Sequence, residues 1–174
     1  NLLASILLTT RKLAMDRDEL EQQLALYLDM LRDCRFSERI SYTNKTPAEI
    51  IDYGVELGAI ETRDHPLGAI VAVCATHTVL LAYFRNNVSH LLAVPSLVAS
   101  CFLNVRSIKP QRIRRIGRSI FPFLKAELFL PWDEAAFEQA IDKQIDWLVE
   151  KELLKQSPVS GLLKCPEGGS RGEL

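Results

Sequence analysis

Three consecutive polar residues, Arg85-Asn86-Asn87, interrupt the apolar run LLAYFRNNVSHLLAVPSLVAS at positions 80–100. A guanidinium can hold a phosphate through two parallel N–H donors, and flanking amides can position hydroxyl groups. On a helical wheel at about 100° per residue, Leu80, Phe84, Leu91 and Val94 share one stripe and Asn87 falls inside it. Arg85 and Ser89 project from the opposite side, with Asn86 and His90 between. A buried amide without partners costs about 1–3 kcal/mol. Asn87 is therefore expected either to tie helices together through satisfied hydrogen bonds, with Arg85 a solvated charge, or to position a polar ligand beside Arg85.

A second set is cationic. Arg106, Lys109, Arg112, Arg114, Arg115 and Arg118 follow one another with no acidic residue among them. They alternate with Ile113, Ile116, Ile120 and Leu124 at helical spacing, which describes either an ordinary core helix with a charged outer face or a surface for anionic headgroups and phosphorylated ligands. The tail CPEGGSRG places Gly168 and Gly169 before Ser170 and Arg171, a pairing able to expose backbone N–H groups but equally that of a frayed terminus.

Catalytic motifs are missing. There is no phosphate-binding glycine loop, no H-E-x-x-H and no nucleophile elbow. None of the three histidines has an aspartate five positions on: His65 leads to Ile70, His77 to Ala82 and His90 to Pro95. The four cysteines (Cys34, Cys74, Cys101, Cys165) lack metal-ligand spacing, and reduced core thiols are expected. No cofactor or metal site is expected.

The elements that must carry these residues are mainly helical. A helix over 1–13 is followed by one over 17–34, capped by Asp16 with Glu19 completing a capping box. Thr46-Pro47 starts a helix that Gly58 stops, and residues 59–73 read as strand, turn, strand. A helix from Thr76 to Leu103, kinked near Pro95, leads to helices over 107–128 and from Asp133 to Lys155. A second short hairpin is expected near 157–165. The fold class is thus a mainly α domain with one or two short β-hairpins, in helix-ribbon units like those of a winged helix. Possible sub-units are 1–75 and 76–165, with 166–174 a disordered tail and no internal repeat. A nucleic-acid partner is not expected, because neither ribbon is basic and the pI is about 6.4. The chain shows no signal peptide and no spanning helix, and both its ends look like cuts in something longer.

Two blocks carry a family resemblance. Tyr83 to Asn87, His90-Leu91 and Ala93 to Leu97, then Phe121 to Leu130, resemble in order the C-terminal region of bacterial membrane-bound glycerol-3-phosphate 1-O-acyltransferases. NLLASILL at the start and DRDELEQQLALYLDMLR at 16–32 resemble the segment that follows that family's catalytic domain. The resemblance implies a parent enzyme moving a fatty acyl group from acyl-CoA or acyl carrier protein to the sn-1 hydroxyl of glycerol 3-phosphate, the first step of phospholipid synthesis, at the cytoplasmic face of the inner membrane. It implies a His-x-x-x-x-Asp pair as base and orienter, which this chain lacks, so the fragment alone should be inactive. The tail only imitates that family's Glu-Gly-Gly-Arg-Ser-Arg block. The implied partners are the missing N-terminal catalytic domain, the two substrates and an anionic membrane. Arg85, Asn86 and Asn87 are then expected near the shared active site or its domain interface. The rival expectation is a non-enzymatic winged-helix-like interaction module.

Overall fold

In the computed structural model, which describes residues 1–66 and 68–166, the apolar opening run folds as one short helix, α1 (Leu2–Leu7), and does not reach Leu13. Two threonines stop it: the hydroxyls of Thr9 and Thr10 donate to the carbonyls of Ile6 and Leu7 at 2.6 and 2.8 Å. Leu13, at φ +52°, then reverses the chain into a strand that sequence pattern does not announce, β1 (Ala14–Asp16).

Asp16 ends that strand and caps α2 (Arg17–Asp33), its Oδ1 accepting from the N–H groups of Asp18 and Glu19 at 2.9 and 3.2 Å. Glu19 accepts from Gln23 at 3.2 Å, so only the aspartate half of the expected capping box is seen. At α3 (Pro47–Glu56) the box is complete, with Thr46 and Glu49 each satisfying the other's backbone N–H. Thr46→Ala is expected to lose about 1 kcal/mol, read as a lower urea midpoint with unchanged slope. No change in midpoint would show that water replaces the cap.

Gly58, at φ +65°, lets the chain leave α3 for the hairpin β2 (Ile60–His65) and β3 (Gly68–Val73). The expected Thr76–Leu103 helix is broken. A single 3-10 turn (Ala75–His77) precedes α4 (Thr78–Asn86), a second (Ser89–Leu92) follows it, and α5 spans Ala93–Ser100. The break lies at Asn87–Val88 and not at Pro95. Pro95 occupies the first turn of α5, where its missing N–H would have no helical partner in any case.

Ser107–Ile108 forms β4 in place of the predicted helix start, and α6 runs Pro110–Leu128. Asp133 caps α7 (Glu134–Glu150) by accepting from Ala136 N–H at 2.8 Å. The helix stops short of Lys155 because Glu152 turns at φ +59° into β5 (Lys155–Gln156), which pairs with β6 (Leu163–Lys164).

The chain divides into two units between Ser89 and His90, later than the 75/76 division expected, because α4 packs on α1. Each unit contains the order helix, strand, helix, helix, strand, strand, and the first adds α4 after it. Each sheet is antiparallel with its last strand in the middle: β1-β3-β2 in the first unit, β4-β6-β5 in the second. This is winged-helix connectivity, present twice. The first unit's core joins Leu3, Leu7, Leu20, Leu24, Ile51 and Val71, with Leu81 of α4 added to it. The second is built on Leu97, Ile113, Phe121, Phe137, Ile141 and Leu163.

Candidate functional site

The end of α4 carries the Arg85-Asn86-Asn87 block. Its inner side is Leu81, buried, with Phe84 packed on the first unit's core. Its outer side shows Val79 at 85% exposure and Tyr83 at 61%, followed by Asn86 and Asn87, both exposed. Asn87 is therefore not a core amide. The wheel that placed it on the apolar stripe assumed a continuous helix, whereas α4 ends at Asn86 and Leu91 and Val94 belong to the second unit.

Arg85 is exposed, and its Nε and Nη2 donate to Asn86 Oδ1 at 3.3 and 3.2 Å. It has no carboxylate partner among the described residues. Arg85 and Asn87 are two residues apart, so they point roughly 200° from one another, and the three polar side chains do not converge on one point. They form an exposed edge: an aromatic-amide face on one side and a guanidinium, steadied by Asn86, on the other.

The cationic set of α6 separates into two groups. Arg114 Nε donates to Asp142 at 2.6 Å, and Arg118 Nε lies 2.6 Å from Glu138 as an ion pair without hydrogen-bond geometry. These two arginines, four apart, meet two acids four apart on the antiparallel α7, so they join helices. Arg106, Lys109, Arg112 and Arg115 are exposed and have no acidic partner among the described residues.

The histidines belong to different elements: His65 ends β2, His77 precedes α4, and His90, partly buried, opens the second unit. Burial lowers the pKa of His90, which keeps its ring neutral at pH 7. All four cysteines are free thiols, partly buried and not in the core as expected. Burial raises Cys101 and Cys165, so neither is an activated nucleophile. Among the described residues no His, Cys, Asp or Glu group could hold a metal, and no helix is long and apolar enough to cross a membrane. The Gly168-Gly169 tail lies outside the described residues. Tyr83, Phe123 and Phe129 fall within the two blocks that carry the family resemblance, but their exposure is not predicted by hydrophobic patterning, which counts such residues toward a core.

A helical chain with two small antiparallel sheets and the Tyr83–Asn87 block displayed at a helix end is the setting for comparison with known proteins. The family described as "Glycerol-3-phosphate acyltransferase C-terminal region" matches residues 1–171, and the chain belongs to it. A glycerol-3-phosphate acyltransferase of Xanthomonas axonopodis pv. citri is 44% identical over 154 residues, 88% of this chain and 17% of the relative. That of Xylella fastidiosa strain 9a5c is 42% identical over 154 residues, 88% of this chain and 18% of the relative. The chain thus spans under a fifth of the length of these relatives. No solved structure matches it.

Proposed function

We propose that this chain is the C-terminal part of an enzyme that moves a fatty acyl group from acyl-CoA or acyl carrier protein to the sn-1 hydroxyl of glycerol 3-phosphate. The reaction needs a general base on the hydroxyl and donors for the oxyanion of the tetrahedral intermediate. This chain has no His-x-x-x-x-Asp pair to act as that base. Its part is to pack on the catalytic portion, to add a cation near the substrate phosphate and to help seat the enzyme on the cytoplasmic face of the inner membrane. The observation that carries this reading is the unpartnered outer face of α4, where Val79, Tyr83, Asn86 and Asn87 are exposed together beside an Arg85 with no carboxylate partner among the described residues.

The rival reading, a nucleic-acid-binding winged helix, is favoured by connectivity but opposed by charge. The helix that precedes each hairpin would have to approach phosphates. In α3 it carries Glu49, Asp52 and Glu56 and no base; in α7 it carries five acids against Lys143. Helices of that sign are repelled by a polyanion.

The test is acyl transfer to glycerol 3-phosphate by the full-length parent and by this 174-residue chain alone. An active parent and a silent chain are expected. Turnover by the chain itself, or a parent that is folded in lipid and inert, would sink the reading.

A further inference from the structure

Phe129 closes α6 in the left-handed region at φ +53° and is 88% exposed. That turn carries Leu130 into the second unit's core, which explains the backbone but not the residue. Glycine meets such a conformation at no steric cost, whereas a bulky side chain there is strained. Phe123, six positions earlier on the outer face of α6, is 75% exposed, with exposed Pro122 next to it. Neither ring is buried within its unit.

Along the same outer face lie Arg112 and Arg115, and Arg106 and Lys109 precede them. The first turn of α6 contains no acid, and Glu127 is the helix's one acidic residue. Cations at a helix N-terminus oppose the macrodipole, so this arrangement favours an anion nearby. Arg112 and Phe123 are about 16 Å apart along the axis. The outer face therefore runs from a cationic half to an aromatic end, with Arg114 and Arg118 already engaged by α7.

We infer that Phe123 and Phe129 are membrane-inserting anchors, and that Arg106, Lys109, Arg112 and Arg115 hold the same face of α6 on anionic lipid headgroups. This rests on the membrane seating proposed above and deepens it. A bilayer suits the surface better than an acidic protein. Convex, hydroxyl-free rings at a helix end enter the acyl boundary, while guanidinium groups a turn or more away remain at phosphate level. Each cation near an anionic surface adds about fivefold to partition, and each ring removed from water adds at least about tenfold.

The experiment is co-sedimentation of the chain with vesicles of phosphatidylcholine alone and of equimolar phosphatidylcholine and phosphatidylglycerol, over a salt series. Wild type should bind the anionic vesicles and release as salt rises. Phe123→Ser with Phe129→Ser should lower partition by about 100-fold, and Arg112→Ala with Arg115→Ala by about 25-fold. Phe129→Gly separates anchoring from folding: it should raise the melting temperature, by relieving the left-handed strain, while lowering partition about tenfold. Anionic vesicles bound equally by wild type and both phenylalanine variants would overturn the anchors and leave the cationic seating intact. No binding by wild type would remove the membrane reading together with this one. Retention of the wild type by acyl carrier protein, with vesicles ignored, would assign the surface to an acidic protein and overturn the inference.

Discussion

Phe137→Ala is expected to lower stability by about 3–5 kcal/mol, the range for removing a fully buried phenyl ring. Phe137 has no exposed surface and stacks near Phe121, at 4.8 Å between ring centroids, and Trp132, at 6.2 Å. The cavity cannot easily close from the α6 side. Gly117 faces it there, and a Cβ on that glycine would sit 2.5 Å from Ile141 Cδ1 and 3.5 Å from Phe137 Cε1. The helix backbone is thus already as near as the pair allows, and residual volume is what makes large-to-small changes costly. Both tryptophans, Trp132 and Trp147, lie in the second unit, while all four tyrosines lie in the first. Urea unfolding followed by tryptophan fluorescence therefore reads the unit that carries the substitution. Whole domains are stable by only about 5–15 kcal/mol, so the tryptophan transition should move far toward zero denaturant. A change under about 1 kcal/mol would mean that neighbouring side chains refill the space and the core is not packed as described.

What sequence could and could not announce follows from the range of the interactions involved. Thr46-Pro47 and Asp133 were legible because a cap is set by a side chain and a backbone N–H within three residues of it. The β2–β3 hairpin was legible for the same reason. β1 was not: Ala14-Met15-Asp16 has no strand pattern, and it is extended because Val71 and its neighbours in β3 supply partners from afar. The same holds for Ser107-Ile108, which pair with Lys164 and Leu163. β1 and β4 are tertiary events, unlike the short local hairpin of β5 and β6.

The two helix-ribbon units were legible in outline, but the strand that completes each sheet was not, because no residues repeat between the units; only the order of elements and the strand pairing do. At the site, the identities of Arg85, Asn86 and Asn87 and the polar side on which Arg85 lies were legible; the exposure of Asn87 was not. A wheel drawn across residues 80–100 presumes one phase, and the chain changes phase at Asn87. The division of the arginines was in principle readable. Arg114 and Arg118 are four apart, as are Glu138 and Asp142, and two such rows on antiparallel helices meet. Arg112 and Arg115 belong to no such row.

In the full-length parent, Arg85→Ala is expected to raise the Michaelis constant for glycerol 3-phosphate roughly 10–100-fold, the loss of a hydrogen bond to a charged group at about 1.5–3 kcal/mol. The turnover number should change little. The phosphate of glycerol 3-phosphate is not altered in the reaction, so a contact to it holds ground state and transition state alike. Arg85→Lys should recover part of the loss, since an ammonium keeps the charge but not the paired donors. Tyr83→Ala provides the contrast. It removes a ring that is 61% exposed on the other side of the helix, where packing on a catalytic portion is proposed, so it should weaken association of the parts without a selective effect on this substrate. Neither substitution should unfold the chain. Arg85 is exposed, and among the described residues its side-chain bonds go only to Asn86, whose amide water can satisfy. An unchanged Michaelis constant in Arg85→Ala, with a normal constant for the acyl donor, would remove the phosphate contact and leave Arg85 with the packing face.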